Sequence, residues 1–156
     1  MPPSYLPCRM PAPSGRPWKI KVRRMGEELF EGMAAIRIAD DAYIFTVLEP
    51  GGMTLLDGAV SMEDGRLTRY SGMQQVTGTP LPGIIGDALF SIYSSCDDAR
   101  ETVLSDRGAW MRSFYALGIF EVKTITFLSG SLDGECSAVE VDNPWYSVDI
   151  IFERLD

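Results

Sequence analysis

The sequence predicts a mainly β protein of the α+β class, in which a strongly curved antiparallel sheet holds one helix against its concave side. Two patterns lead to this prediction. Segments that alternate apolar and polar residues recur at hairpin spacing along most of the chain, and one segment between them has helical period. The 156 residues, 46% of them apolar, fit one globular domain with a substantial core.

Five strands are predicted before the helix. In the first, Trp18, Ile20 and Val22 share one face, and the outer face of the same strand explains the basic residues from Lys19 to Arg24. In the second strand, a glycine at position 32 indicates a bend or bulge. The segment "YIFTVL" is β-branched and aromatic, which is typical of a strand covered on both faces. The five strands are predicted at residues 18–23, 29–38, 43–48, 53–62 and 66–70.

The segment "TPLPGIIGDALFSIY" predicts the helix, because its apolar residues from Ile84 to Ile92 recur on one face. Pro82 is compatible with the first turn. The two glycines lower the intrinsic helix propensity, so packing on the sheet must stabilise this helix. Residues 96–107 are polar and are predicted to form a loop with a frayed helical turn. Four further strands are predicted at residues 111–117, 119–128, 137–141 and 147–154.

Residues 1–16 contain five prolines and are predicted to form a flexible arm, followed by a single domain over residues 17–156. The arm has no apolar run of signal-peptide length, and Pro7 before Cys8 differs from the small residues that precede a lipidated cysteine. No stretch approaches the ~18 consecutive apolar residues of a membrane-spanning helix. We therefore expect the chain either to be soluble as written or to follow an export signal that this sequence does not contain.

Charge and composition argue against several classes of function. The formal charge of −8, from 14 basic and 22 acidic residues, disfavours nucleic-acid binding. The lack of histidine excludes serine–histidine and cysteine–histidine nucleophile systems and histidine-containing zinc sites. Acidic pairs such as Asp40-Asp41 lie in turn segments and lack the spacing of a calcium loop. The chain is therefore expected not to be an enzyme and to hold no metal or cofactor.

The three cysteines are too scattered for a metal-binding motif. Cys96 and Cys136 could pair in an oxidising compartment, which would leave Cys8 over. Separate buried or free thiols are equally compatible with the sequence.

Aromatic side chains on separate strands, together with the apolar stripe of the helix, suggest a cavity enclosed by a cupped sheet. The competing interpretation is an ordinary filled core. The candidate residues for lining a cavity and binding a ligand are Trp18, Phe30, Phe45, Ile84, Ile85, Leu89, Trp110, Phe114, Phe127 and Trp145.

Three segments in order resemble the LolB family of outer-membrane lipoprotein receptors and related LolA-like bacterial lipoproteins. They are "VLEPGGMTLLDGAV", "VTGTPLPGIIGDALFSIY" and "WYSVDIIFERL". Gly78, Pro80 and Pro82 match the family's Gly-x-Pro-x-Pro element before its helix. The resemblance covers most of residues 18–155. It implies an unclosed β-barrel wrapped around a central helix, an apolar cavity for acyl chains, and a periplasmic or outer-membrane location.

The segment "LEPGGM" has three interpretations: a hairpin corner, a backbone cradle for an anion, or a loop that offers Met53 to an apolar partner. The anion cradle is the least favoured, because no helix follows the glycines. The family's loop carries an exposed leucine, at the position of Gly51, that is thought to touch the membrane. The resemblance therefore implies that Pro50, Gly51, Gly52 and Met53 contact the inner leaflet of the outer membrane.

The leading hypothesis is a non-enzymatic, exported bacterial protein that binds a lipid or lipoprotein acyl chain, with a role in lipoprotein trafficking at the outer membrane. The alternative is an envelope interaction or scaffold module with a filled core and no ligand. An enzyme that acts through carboxylates ranks last, because no two acidic groups are predicted to face one cleft.

Overall fold

The computed structural model describes residues 7–94, 99–104, 108–116, 120–129 and 134–155. Within these residues the chain forms ten strands and two helices. The strands are β1 (Ser14–Arg24), β2 (Glu27–Ala39), β3 (Ala42–Leu48), β4 (Thr54–Ser61), β5 (Leu67–Gly72), β6 (Ala99–Val103), β7 (Trp110–Ala116), β8 (Phe120–Ser129), β9 (Cys136–Asn143) and β10 (Val148–Arg154). The helices are α1 (Gln74–Thr77) and α2 (Leu81–Tyr93).

All ten described strands belong to one antiparallel sheet in the order β5-β4-β3-β2-β1-β10-β9-β8-β7-β6. Neighbouring strands are consecutive in the chain except at the centre, where β1 pairs with β10 as well as with β2. The two edge strands, β5 and β6, do not pair with each other within the described residues, so the sheet is not closed. The predicted mainly β class and antiparallel meander are confirmed.

One face of the sheet is apolar because the side chains alternate with period two. Along β1, Trp18, Ile20 and Val22 are buried, and the basic residues between them are partly exposed. The neighbouring strand β10 is in matching register, with Ile150 opposite Val22 and Phe152 opposite Ile20. The buried side chains of α2 join this face in one continuous hydrophobic core.

Helix α2 begins at Leu81, inside the segment for which the sequence predicts a helix. Pro82 lies in its first turn, where the missing backbone N–H costs no helical hydrogen bond. A Cβ atom at Gly86 would lie 2.8 Å from Cγ2 of Val60 on β4. The glycine that weakens the isolated helix therefore permits its close packing on the sheet.

Two local predictions were wrong. The segment 96–107 was expected to be a loop, but β6 within it pairs antiparallel with β7. The residues of β6 are largely exposed, so backbone pairing holds this edge strand without an apolar alternation that the sequence would show. Of the bend or bulge predicted at Gly32, the bulge was wrong: the register between β1 and β2 shifts at Leu29, and Gly32 itself pairs regularly with Ile20.

The possible pairing of Cys96 with Cys136 was also wrong. Cys136 forms a disulfide with Cys8, with the two Cα atoms 5.0 Å apart, and Cys96 lies outside the described residues. Backbone hydrogen bonds hold the partner segment beside the sheet. The N–H of Cys136 donates to the carbonyl of Arg9 at 2.7 Å, and the N–H of Cys8 donates to the carbonyl of Gly108 at 2.8 Å.

Part of the predicted flexible arm is therefore attached to the rest of the domain. Cys8 is buried, and β1 already begins at Ser14, before the domain boundary predicted at residue 17. The physical reason is that the disulfide and backbone pairing outweigh the low propensity of a proline-rich stretch for regular structure. Residues 1–6 lie outside the described residues.

Candidate functional site

A pocket with a volume of about 360 Å³ opens at one end of the sheet. It lies where the β1–β2 turn, the start of β4, the α1–α2 segment and the β9–β10 turn come together. This volume is near the lower end of the roughly 300–1,000 Å³ of small-molecule sites. The described residues that line it are Arg24, Leu29, Phe30, Leu55, Gln75, Val76, Thr79, Pro80, Leu81, Ile84, Tyr146 and Val148.

A β-bulge explains why two consecutive residues of β2 line this pocket. Val22 pairs with Phe30 and Arg23 pairs with Glu28, so Leu29 has no partner on β1. A bulge residue breaks the strict alternation of faces, and it allows Leu29 and Phe30 to border the same space. The bulge therefore adds apolar surface to the pocket at the end of the hairpin.

In the α1–α2 segment the hydroxyl of Thr79 is bonded within the segment, beside the apolar residues that line the pocket. The Thr79 hydroxyl donates to the carbonyl of Val76 at 2.6 Å and accepts the N–H of Leu81 at 3.2 Å. Gly72 precedes this segment at the end of β5, and a Cβ there would lie 2.3 Å from the Leu55 carbonyl oxygen. Only glycine permits this approach, which brings α1 next to the start of β4.

Large apolar side chains are exposed at the two turns beside the pocket. Met25 in the β1–β2 turn is 80% exposed, and Trp145 in the β9–β10 turn is 79% exposed. The Met25 N–H donates to the carbonyl of Ser147 at 2.9 Å, which links the two turns. Neighbouring Leu29 and Tyr146, which line the pocket, are also partly exposed. Apolar side chains therefore form part of the rim of the pocket on its solvent side.

Arg24 is the one charged side chain among the described lining residues. It follows Arg23 at the end of β1, and the strand alternation that buries Val22 directs Arg24 to the same side. The sequence interpretation that assigned all the basic residues to the outer face thus does not hold for Arg24. No ion pair joins its guanidinium to another residue in the described part of the chain.

The structure separates the sequence-predicted cavity residues into three groups. Phe30 and Ile84 line the pocket. Trp145 is exposed at its rim, next to Tyr146. The others pack in the core or against it, away from the pocket: Trp18, Phe45, Ile85, Leu89, Trp110, Phe114 and Phe127. Trp110, for example, stacks on Phe127 with the ring centroids 4.0 Å apart.

Most of the lining was missed because it comes from element ends and connections. Leu55, Val76 and Leu81 are ordinary apolar residues in the sequence, and nothing in their spacing marks them as neighbours. A signal did exist for Arg24, because extending the alternation of β1 by one step puts it on the same face as Val22.

The predicted membrane-contact loop forms a tight hairpin corner between β3 and β4. The N–H of Gly52 donates to the carbonyl of Glu49, and the N–H of Glu49 donates to the carbonyl of Met53, both at 2.9 Å. Gly52 has φ of +93°, as in the bulge that closes three-residue hairpin loops. Pro50, Gly51 and Gly52 are exposed and Met53 is 53% exposed. Membrane contact by this loop stays a prediction.

A polar cluster lies elsewhere on α2, where strand β8 contacts the helix. The Lys123 ammonium donates to Asp87 Oδ2 and to Ser91 Oγ, both at 2.6 Å. A serine beside a lysine resembles a catalytic pair, but Ser91 is only 2% exposed and Lys123 is held by a carboxylate. The geometry fits a structural link between helix and sheet.

Two carboxyl groups face each other on the outer side of the sheet. Asp142 on β9 is in register with Asp149 on β10. Partial burial, and then the neighbouring Asp149 carboxyl, raise the pKa of Asp142 to about 6. Neither residue lines the pocket. Within the described ranges no group of three or more potential ligand side chains could hold a metal ion.

Asp142→Asn is expected to raise the midpoint of thermal unfolding by about 1–3 °C near pH 7.5 and to leave that midpoint unchanged near pH 4. The folded-state pKa of this carboxyl is raised above 3.8, so the stability that its protonated form contributes is present below that value and is lost as the pH rises through about 6. Thermal unfolding across this pH range, followed by circular dichroism, measures the effect. Asp41→Asn, in the β2–β3 turn, is the matched control; an equal gain there would contradict the prediction.

Fold and pocket together define the class: a mainly β protein with one unclosed antiparallel sheet and a small apolar pocket at the sheet's end. No described helix has the length and apolarity needed to cross a membrane. No protein-family model matches the chain, and no curated protein matches it. The function is therefore argued from the pocket and from its residues.

Proposed function

We propose that this chain is a non-enzymatic, exported bacterial protein that binds an acyl chain, of a lipid or of an acylated protein, in the pocket of about 360 Å³. The apolar lining of this pocket is the observation that carries the proposal. The resemblance of "VTGTPLPGIIGDALFSIY" and its companion segments to the LolB family supports the same reading. A role in lipoprotein trafficking at the outer membrane is the corresponding biological proposal.

The finer architecture that we propose is an unclosed β-barrel wrapped around α2. Contacts of α2 with strands from both halves of the strand order support it. On one side, Gly86 lies against Val60 of β4. On the other, Asp87 binds Lys123 of β8, and the carbonyl of Ser91 accepts a hydrogen bond from Arg112 of β7 at 2.7 Å. Contacts from both halves of the sheet to one helix are what a sheet curved around that helix would make.

An acyl chain suits the pocket because most of the described lining residues are apolar. Each methylene moved from water into such a space contributes about 0.8 kcal/mol. The hydroxyl of Thr79, a polar lining group, is already bonded to Val76 and Leu81. A ligand that is polar along its whole length would gain little against the apolar walls, since it would lose its hydration without finding enough partners there.

The proposed location is the periplasm or the inner face of the outer membrane. The Cys8–Cys136 disulfide supports an oxidising compartment, where such bonds persist. The exposed Met25 and Trp145 beside the pocket support contact with an apolar surface during ligand exchange. The Met53 corner is a further proposed contact.

Replacing Ile84 with tryptophan is expected to weaken acyl-chain binding about 50-fold, because the larger side chain occupies the space of roughly three methylenes at about 0.8 kcal/mol each. Binding is measured by displacing a dansyl-labelled fatty acid with neutral monoacylglycerols of increasing chain length. For the unmodified protein, affinity should rise about fourfold per added methylene and level off once the pocket is full.

Ile38→Trp is the matched control, because Ile38 is exposed near the β2–β3 turn and does not line the pocket. Leu29→Trp tests the mouth with less risk to folding, since Leu29 is partly exposed. An affinity that is indifferent to chain length, or equal losses in Ile84→Trp and Ile38→Trp, would reject the pocket as the binding site.

The alternative of an envelope interaction module with no ligand draws support from the filled core around Phe45 and Phe127 and from the exposed edge strand β6. An unpaired strand edge can accept a strand from a partner. Absence of saturable binding in the same titration would favour this alternative.

A further inference from the structure

We propose that the ligand is an amphiphile with one acyl chain and an anionic head group, and that Arg24 at the pocket mouth binds the head group. This inference rests on the proposed acyl-chain binding and names the class of ligand. Its three supports are the volume of the pocket, the charge at the mouth and the lack of an ion-pair partner for that charge among the described residues.

The volume favours a single chain. A cavity of about 360 Å³ lies near the lower end of the roughly 300–1,000 Å³ range in which small-molecule sites fall. Two contacts hold the bordering elements together: the hydrogen bond from Met25 to Ser147 links two of the turns, and Gly72 allows α1 to pack closely on β4. A lipid with two or three chains would leave one or more of those chains in water.

The charge at the mouth favours an anionic head group. The chain carries a net charge of −8, so its general field repels anions, and a bound anion needs a local cation. Arg24 supplies one among lining residues that are otherwise uncharged in the described part of the chain. Its planar guanidinium can donate two parallel hydrogen bonds to a carboxylate or phosphate.

Arg24 is also available for such a partner. Glu27 is its neighbour across the hairpin in register, yet no ion pair joins them within the described residues. Its aliphatic stem can lie along Leu29 and Phe30, which border the same pocket, while the guanidinium stays at the solvent side. An acyl chain between these residues would place its head group next to that cation.

A carboxylate and a phosphate monoanion share this chemistry, so a free fatty acid and a lysophospholipid are both possible sources. The test compares ligands with the same myristoyl chain: myristate, myristoyl lysophosphatidylglycerol, neutral monomyristoylglycerol and two-chain dimyristoyl phosphatidylglycerol. Displacement of the dansyl-labelled fatty acid is followed below the micellar concentration of each single-chain ligand. The variants are Arg24→Gln, which removes the charge, and Arg24→Lys, which keeps it.

Arg23→Gln is the matched control, because Arg23 is the adjacent residue, has the same side chain and does not line the pocket. With the unmodified protein, at least one anionic single-chain ligand should bind about fivefold more tightly than monomyristoylglycerol. Arg24→Gln should abolish this preference, Arg24→Lys should keep most of it, and Arg23→Gln should leave it unchanged. High salt should reduce the preference, because the charge lies at the solvent boundary.

Preference for myristate alone identifies a fatty acid as the source, and preference for the lysophospholipid identifies a phosphate head group. Equal affinities for charged and neutral ligands, a preference that survives in Arg24→Gln, or displacement by the two-chain lipid at equal strength would overturn the inference while leaving acyl-chain binding intact. If no ligand binds saturably, including the neutral one, acyl-chain binding itself is rejected and the inference with it.

Discussion

Cys136→Ser is expected to lower the free energy of unfolding by about 4–5 kcal/mol and the midpoint of thermal unfolding by about 10–15 °C. The disulfide joins residues 128 positions apart, so its loss restores a large conformational entropy to the unfolded chain. The N-terminal segment should also loosen, because Trp110 Nε1 donates to the Cys8 carbonyl at 3.0 Å and this contact depends on Cys8 staying in place. Thermal and denaturant unfolding under non-reducing conditions measure both effects.

Cys96→Ser is the matched control, since it makes the same chemical change at the third cysteine. It should leave the unfolding midpoint close to that of the unmodified protein, and peptide mass spectrometry should recover Cys8 linked to Cys136. If Cys96→Ser were as damaging as Cys136→Ser, and Cys8→Ser harmless, the pairing first suggested by the sequence would be the true one.

Arg112→Ala is expected to lower the free energy of unfolding by about 2–4 kcal/mol, because it removes several interactions at one end of α2. Arg112 Nη1 donates to the carbonyl of Ser91 at 2.7 Å and to that of Ser94 at 3.4 Å, so it satisfies carbonyl groups that the helix end leaves unpaired. Its guanidinium also lies 5.1 Å from the ring of Trp110. Equilibrium urea unfolding gives the change directly.

Arg37→Ala is the control for the loss of a positive charge, because Arg37 is an exposed residue of β2. Arg112→Lys should recover part of the stability, since its ammonium restores the charge and can donate hydrogen bonds but lacks the planar fork. A loss in Arg112→Ala no larger than in Arg37→Ala would mean that the contacts to Ser91 and Ser94 contribute nothing to stability.

The elements that the sequence predicted well are those with strong local patterns. The alternation at Trp18, Ile20 and Val22 reappears as the buried face of β1, and the apolar stripe from Ile84 to Ile92 lies within α2. The "LEPGGM" segment is a hairpin corner, as its Pro-Gly composition allowed, because Gly52 adopts the positive φ that closes the loop. Local propensity and period were sufficient in these cases.

Other features depend on partners that are distant along the chain. Strand β6 carries no alternation, and it is a strand only because the edge of β7 offers it backbone partners. The partner of Cys136 is Cys8 because the start of the chain returns to the end of the sheet where β9 begins. Sequence spacing does not show that β6 lies beside β7 or that Cys8 lies beside Cys136.

The candidate site also combines residues that local sequence patterns predict with residues that only the tertiary structure brings together. Of the residues proposed from the sequence, Phe30 and Ile84 reach the pocket, and side chains such as Phe45 fill the core instead. The sequence does not distinguish an apolar residue that packs in the core from one that lines a pocket. The difference depends on whether other side chains fill the neighbouring volume. Leu29 lines the pocket only because a bulge lets it border the same space as its neighbour.

The sequence by itself thus determined the β class, the hairpin order, the position of α2 and the exclusion of histidine chemistry, since these follow from local period, turn residues and composition. The tertiary structure decided which cysteines join, that an edge strand forms at residues 99–103, and that a pocket with Arg24 at its mouth remains between the turns. The physical reason is that cavities and cross-links depend on how separate elements meet, and packing of the whole chain sets that geometry.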